Sequence, residues 1–262
     1  MKKIFVLCTI AVIAFGMLGC QKKNQTDYEY IKSKGSMTIG ITLFAPMNYH
    51  DEEGNLVGFD TEFAKAVCDK LGLEANFVEI SWDLKETELT SKNIDCIWNG
   101  MTITEKLKTN FSITEPYLQN RQILITKSDK IEQYEKSADG ISVSVEQGSA
   151  AENVTKNLGF FEKATITPVD SQTKALLEVK SGLADAAVVD YVISFGAIGE
   201  GTDFADLAVA DVILGDPELY GIALRKGSDM TDKINKIITE MTADGSLKAI
   251  AEKYKLDGLL LD

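Results

Sequence analysis

The sequence predicts an α/β protein with helices on both faces of mostly parallel sheets. Three observations carry this: short apolar runs rich in β-branched residues, capped helical segments alternating with them, and a globular composition. Of 262 residues, 45% are hydrophobic and 26% charged, with 20 Gly and only 4 Pro, which excludes disordered, collagen-like and low-complexity chains.

The first element is an address. Lys2 and Lys3 precede an uncharged apolar run over residues 4–15, followed by Gly16, Met17, Leu18, Gly19 and Cys20, and then by polar sequence. The run is short for a bilayer span and has the tripartite form of a secretory signal. Its LGC ending resembles the lipobox of bacterial lipoproteins, in which the cysteine, here Cys20, is lipidated and heads the mature chain. Met17 departs from the leucine usual at the first lipobox position, and a plain cleaved signal is the alternative. Residues 20–36 are polar without apolar periodicity and read as a tether, so the protein is expected outside the cytoplasm, held to a bacterial membrane by its lipid alone. Removing residues 1–19 takes away two lysines and no acid, leaving 25 basic against 40 acidic residues, or −15.

Eight strands follow from the apolar runs: MTIGI (37–41), ANFVEI (75–80), DCIWNGM (95–101), RQILIT (121–126), ISVSVE (141–146), TITPV (165–169), DAAVVD (185–190) and YGIAL (220–224). Such runs suit buried strands of parallel sheets. Between them, Asp60 is expected to cap a helix whose inner face is Phe63, Ala64, Val67, Cys68 and Leu71 and which stops at Gly72. SAAE (149–152) reads as a capping box, and 171–181, 191–198, 230–242 and 246–254 suit helices. The polar stretch 128–139 reads as surface.

Composition also excludes functions. The full chain has 27 basic against 40 acidic residues, a formal charge of −13, which disfavours nucleic acid. His50 is the single histidine, so two-histidine metal sites are ruled out and no metal or other cofactor is expected. Cys68 and Cys96 fall in a helix and a strand and read as buried free thiols. The GEG at 199–201 follows a helix and lacks a third glycine, so it reads as a turn.

The segments LVGFDTEFAKAVCDKLG, WD at 82–83, DCIWNGMTITEKLK, TEPYLQNRQILI, VEQGSAAE, ALLEVKSGLADAAVVDY and YGIALRKGSD, in that order, resemble the extracellular solute-binding proteins of polar amino-acid ABC importers, family 3. The resemblance covers nearly all of 37–255. It implies a two-lobe periplasmic-binding-protein type 2 fold, a monomer closing on one small ligand and handing it to membrane permease subunits. Lobe 1 would be 37–121 plus 219–262 and lobe 2 127–212, with crossovers near 122–126 and 213–220.

A zwitterionic amino acid entering such a cleft needs donors for its carboxylate, an anion for its ammonium and a shaped wall for its side chain. Asp190 ends a strand where open α/β folds place ligands, and matches the family aspartate that meets the ammonium; capping the next helix is the alternative. Ser149 follows Gly148 at a helix start, a natural anion seat, although its capping box explains the same serine without a ligand. The resemblance gives Gly100 and Thr102 to the carboxylate too. Phe44 and Trp82 are candidate aromatic walls, and Thr42 joins the set as a candidate contact. The family's carboxylate-gripping arginine is expected at position 107, which here is Leu107. Either Lys106, Lys108 or Arg121 substitutes from another direction, or the ligand lacks an ordinary α-carboxylate. The expected function is capture of an amino acid or related amine for import, without catalysis. A dehydratase-like enzyme on the same fold and a ligand-presenting chemosensory protein are the alternatives.

Overall fold

A computed structural model describes residues 25–261, so Cys20 and the signal lie outside the described residues. The chain begins with α1 (Asp27–Lys34), β1 (Ser36–Ile41), a hairpin of β2 (Tyr49–His50) and β3 (Leu56–Val57), α2 (Phe59–Leu71) and β4 (Glu74–Glu79). A 3-10 turn at Trp82–Leu84 runs into α3 (Lys85–Thr90), followed by β5 (Cys96–Ile97), α4 (Glu105–Asn110), β6 (Ser112–Ile113) and β7 (Leu118–Asn120). The second half holds β8 (Gln122–Lys127), α5 (Ile131–Tyr134), β9 (Ser142–Glu146), α6 (Ala150–Asn157), β10 (Thr165–Val169), α7 (Gln172–Ser181), β11 (Ala186–Asp190) and β12 (Leu207–Ala210). The chain closes with β13 (Glu218–Tyr220), β14 (Ala223–Leu224), α8 (Met230–Ala243) and α9 (Ser246–Lys253).

Two five-stranded sheets form the two lobes, in orders β4-β1-β5-β14-β6 and β10-β9-β11-β8-β12. In each, four strands run in one direction and a single strand, β14 in the first sheet and β8 in the second, runs against them. A two-stranded ribbon links them, β13 pairing antiparallel with β7 so that Glu218 faces Asn120 and Tyr220 faces Leu118. The crossover expected near 122–126 is strand β8 of the second sheet, where Gln122 pairs with Asp190; the chain changes sheets at Arg121.

The core follows the apolar pattern. Met37, Ile39 and Ile41 of β1 and Phe59, Phe63 and Val67 of α2 are almost wholly buried with Ile234 and Met241 of α8. Each such side chain contributes roughly 1.5–3 kcal/mol through the apolar surface it hides. Cys68 and Cys96 are buried and unbonded.

Several expectations are corrected. The tether assigned to 20–36 is helical over Asp27–Lys34, and Ser36 already belongs to β1. Thr26 and Glu29 form a capping box at the start of α1, Ile31 is fully buried, and Arg225 holds both Asp27 and Asp95. One apolar anchor and a distant ion pair fix this helix, and neither leaves a periodic pattern in sequence. Asp60 lies inside the first turn of α2 rather than capping it; the cap position is Gly58. The strand expected over 95–101 is only Cys96–Ile97, because the chain turns at Gly100 with φ +54. The run 220–224 splits between β13 and β14, and 191–198 is a 3-10 turn over Tyr191–Phe195. Strands β4 and β10 are half-exposed sheet edges, which suits Pro168. The stretch 128–139 includes α5 and buries Tyr134 and Ala138.

Candidate functional site

A cleft of about 500 Å³ opens between the lobes. The first lobe supplies Trp82, Lys85, Gly100, Thr102, Lys106 and Leu107 to its walls, and the second supplies Glu146, Gly148, Ser149, Gln172 and Asp190; Glu218 comes from the linking ribbon. Its size suits a small molecule. Of the predicted site residues, Trp82, Gly100, Thr102, Gly148, Ser149 and Asp190 therefore meet around one space. Thr42 and Phe44 do not line it. Thr42 accepts a hydrogen bond from Asn99 Nδ2 at 2.7 Å, and Phe44 packs under Gly100, where a Cβ would lie 3.1 Å from its ring.

Asp190 ends β11, 7% exposed, and accepts hydrogen bonds from Asn120 Nδ2 at 2.7 Å, Gln122 Nε2 at 2.6 Å and Gln172 Nε2. Burial and then the neighbouring Glu218 charge raise its carboxyl to about 6, against those amide donors. The capping alternative fails geometrically, since its side chain makes no cap hydrogen bond to the following turn. Glu218, at the start of β13, accepts from Gln122 Nε2 at 2.8 Å, Thr102 Oγ1 at 2.9 Å and Asn120 Nδ2 at 3.2 Å. Two carboxylates thus share the amides of Asn120 and Gln122. These residues stand two apart on the extended segment joining β7 to β8 and so point the same way. Arg121, between them, stacks over the Tyr191 ring at 4.4 Å.

Glu146, ending β9, is 2% exposed, and its Oε1 has no hydrogen-bond partner among the described residues. Burial and the Asp190 charge push it up to about 8, with Lys85 opposing. Lys85 is buried too, donating to the Gly148 carbonyl at 2.8 Å and the Trp82 carbonyl at 3.0 Å, with its ammonium 4.6 Å from the Trp82 ring centre. Burial lowers it to about 8. The Trp82 face is thus engaged by a cation belonging to the protein.

The helix start at Ser149 is closed on itself. Ser149 Oγ accepts from Glu152 N at 3.2 Å, while Glu152 Oε2 accepts from Gly148 N at 2.8 Å, one residue before the usual capping-box partner. Gly148 has φ +72, and a Cβ there would stand 2.7 Å from the Cα of Asp83 on the facing lobe. Gly100 N donates to Asp60 Oδ2 at 2.6 Å, and Tyr117 Oη donates to the same carboxylate at 3.0 Å; burial raises Asp60 to about 7. Leu107, 6% exposed, packs with Trp82, Leu89, Met101 and Phe111 in an apolar cluster. Lys106 and Lys108 pair with Glu86 and Glu105.

Sequence reasoning missed Glu218, Asn120, Gln122, Glu146, Lys85 and Asp60. The period-two amides in LQNRQ were the one visible signal; the others read as ordinary hinge, strand-end and helix positions. Among the described residues no cluster of three or more His, Cys, Asp or Glu could hold a metal, and no helix is long and apolar enough to cross a membrane.

Residues 37–257 match the family described as bacterial extracellular solute-binding proteins, family 3. The chain is 28% identical to the arginine-binding extracellular protein ArtP of Bacillus subtilis, covering 97% of this chain and 98% of that one. It is 30% identical to the L-cystine-binding protein TcyJ of Escherichia coli K12, over 86% and 84% of the two. A solved ancestral amino acid-binding protein, described as a precursor of cyclohexadienyl dehydratase, superposes with a TM-score of 0.77 at 29% identity, over 87% of this chain and 98% of that one.

Proposed function

The chain belongs to the bacterial extracellular solute-binding proteins of family 3, and we propose that it captures an amino acid or related amine between its lobes and delivers it to an ABC permease. It acts outside the cytoplasm, as a lipid-anchored monomer held through Cys20, its lobes opening about the two-stranded ribbon and Arg121. Binding uses Asp190 and Glu218 for the ligand's positive charge, with Trp82, Gly100, Thr102, Gly148 and Ser149 shaping the wall.

The observation that carries this reading is the pair of carboxylates at the cleft floor, Asp190 buried and Glu218 half-buried, which accept only from neutral donors among the described residues. A desolvated carboxylate is stabilised strongly by an incoming ammonium or guanidinium. The relatives it resembles are binding proteins, and no His or Cys stands among the described residues lining the cleft, so we assign no catalysis. The test is a thermal-shift screen against amino acids and small amines, with mass spectrometry of the mixtures. Ligand at 100 times its Kd adds about 2.7 kcal/mol, which raises the unfolding midpoint by about 5–10 °C for a chain this size. Stabilisation without product supports the reading. Glu146, whose carboxyl burial pushes up to about 8, favours the enzyme alternative as a candidate acid, and a dehydrated product would decide for that instead.

A further inference from the structure

The donors expected to seat a ligand carboxylate are already engaged by the protein's own oxygens. Thr102 Oγ1 donates to Glu218 at 2.9 Å, Gly148 N to Glu152 at 2.8 Å, Gly100 N to Asp60 at 2.6 Å, and Ser149 N to the Glu146 carbonyl at 3.2 Å. Two of these acceptors, Glu218 and Glu152, are carboxylates lining the cleft itself. A third carboxylate arriving there would meet like charge instead of free donors.

The cations near the cleft are spoken for too. Lys106 pairs with Glu86 at 2.7 Å and Lys156 with Glu152 at 2.7 Å. Lys85 gives two of its three donors to carbonyls and interacts with the Glu146 charge. Arg121 is stacked on Tyr191 and absent from the walls. Leu107, in the same wall, presents only apolar surface. Set against this, Asp190 and Glu218 receive only neutral donors, and Glu146 Oε1, buried in the same wall, has none. The cleft has negative charge to offer and no positive charge to spare.

We propose that the ligand is a compact organic cation without a carboxylate, a primary amine or guanidinium compound whose charged nitrogen sits between Asp190 and Glu218, with the free Glu146 oxygen taking a further N–H. This rests on the binding-protein reading and narrows it from amino acids to amines.

Isothermal titration of the purified protein with matched pairs separates the two: agmatine against L-arginine, cadaverine against L-lysine, cystamine against L-cystine. The expected result is that the amine binds at least tenfold more tightly than its amino acid in every pair that binds. An amino acid equal to or tighter than its amine overturns this inference and leaves the binding-protein reading standing. Silence of all three pairs overturns both the amine assignment and the proposed ligand class. Glu218→Gln keeps the shape of the side chain and removes its charge. It is expected to lower the amine's affinity at least tenfold at an unchanged unfolding midpoint, and unaltered affinity would remove Glu218 from the site.

Discussion

Asp190 has two properties that act together: it is buried, and its carboxyl is raised to about 6. A cation binds the ionised form, which is about 90% populated at pH 7 and about 10% at pH 5 for a group titrating near 6. Affinity for an amine that stays charged throughout is therefore expected to fall about tenfold between pH 7 and pH 5; calorimetry in matched buffers reads this, and a flat profile would contradict it. Gly148 is a second single-residue test. Its φ of +72 and the 2.7 Å approach to Asp83 leave no room for a methyl group when the lobes meet. Gly148→Ala should weaken ligand affinity at least tenfold, while the left-handed backbone alone costs about 1 kcal/mol of stability. Asp190, Gly148, Ser149 and Trp82 were legible because strand ends and helix starts announce themselves locally. Glu218 was not, because its role depends on Asn120 facing it across the ribbon from 98 positions earlier in the chain.

At the scale of elements, the strands hidden on both faces were the easiest to read. DAAVVD is a continuous apolar run between two aspartates and is buried throughout β11, while ISVSVE alternates Val with Ser yet is buried from Val143 to Glu146. Short elements fixed by distant partners were misread. Gly100 ends a run that looks like seven residues of strand, and β14 is two residues long because Ile222 N turns to Thr114 Oγ1 at 3.0 Å. Helix α1 is the clearest case. Its sequence DYEYIKSK is polar, and what makes it structural is Ile31 in the core with Arg225 bound to Asp27. Ile31→Ala is expected to destabilise the protein by about 2–4 kcal/mol through the cavity it leaves. Denaturant unfolding measures this, and a change under 0.5 kcal/mol, roughly the size of an ordinary surface substitution, would return the segment to the role of a tether.

For the whole molecule, both sheets repeat one strand order, and the candidate cleft takes its lining from both lobes and the linking ribbon. Contacts already span the opening: Lys85 to the Gly148 carbonyl at 2.8 Å, Gln147 Nε2 to Asp83 Oδ2 at 3.3 Å, and Thr173 Oγ1 to the Leu43 carbonyl at 3.2 Å. Gly196 meets the Ala45-Pro46 backbone at the other rim, where a Cβ would lie 2.9 Å from Pro46 N. The buried acids also set the pH response of the ligand-free protein. Asp60, Asp190 and Glu146 titrate near 7, 6 and 8 when folded, above their ordinary values. The folded state thus holds more protons than the unfolded chain in this range, so stability falls as pH rises from about 5.5 to 8. Thermal midpoints should drop accordingly over that interval, and a rise would contradict the burial of these groups. The lowered acids at the surface, such as Asp51 and Asp244, act only below about pH 4.5.

The most direct measurement is titration of Asp190→Asn with the amine that binds the unaltered protein best. Loss of at least a hundredfold in affinity, with the unfolding midpoint preserved, is the expected result; affinity within a factor of three of the original would mean that the ligand's charge is met elsewhere.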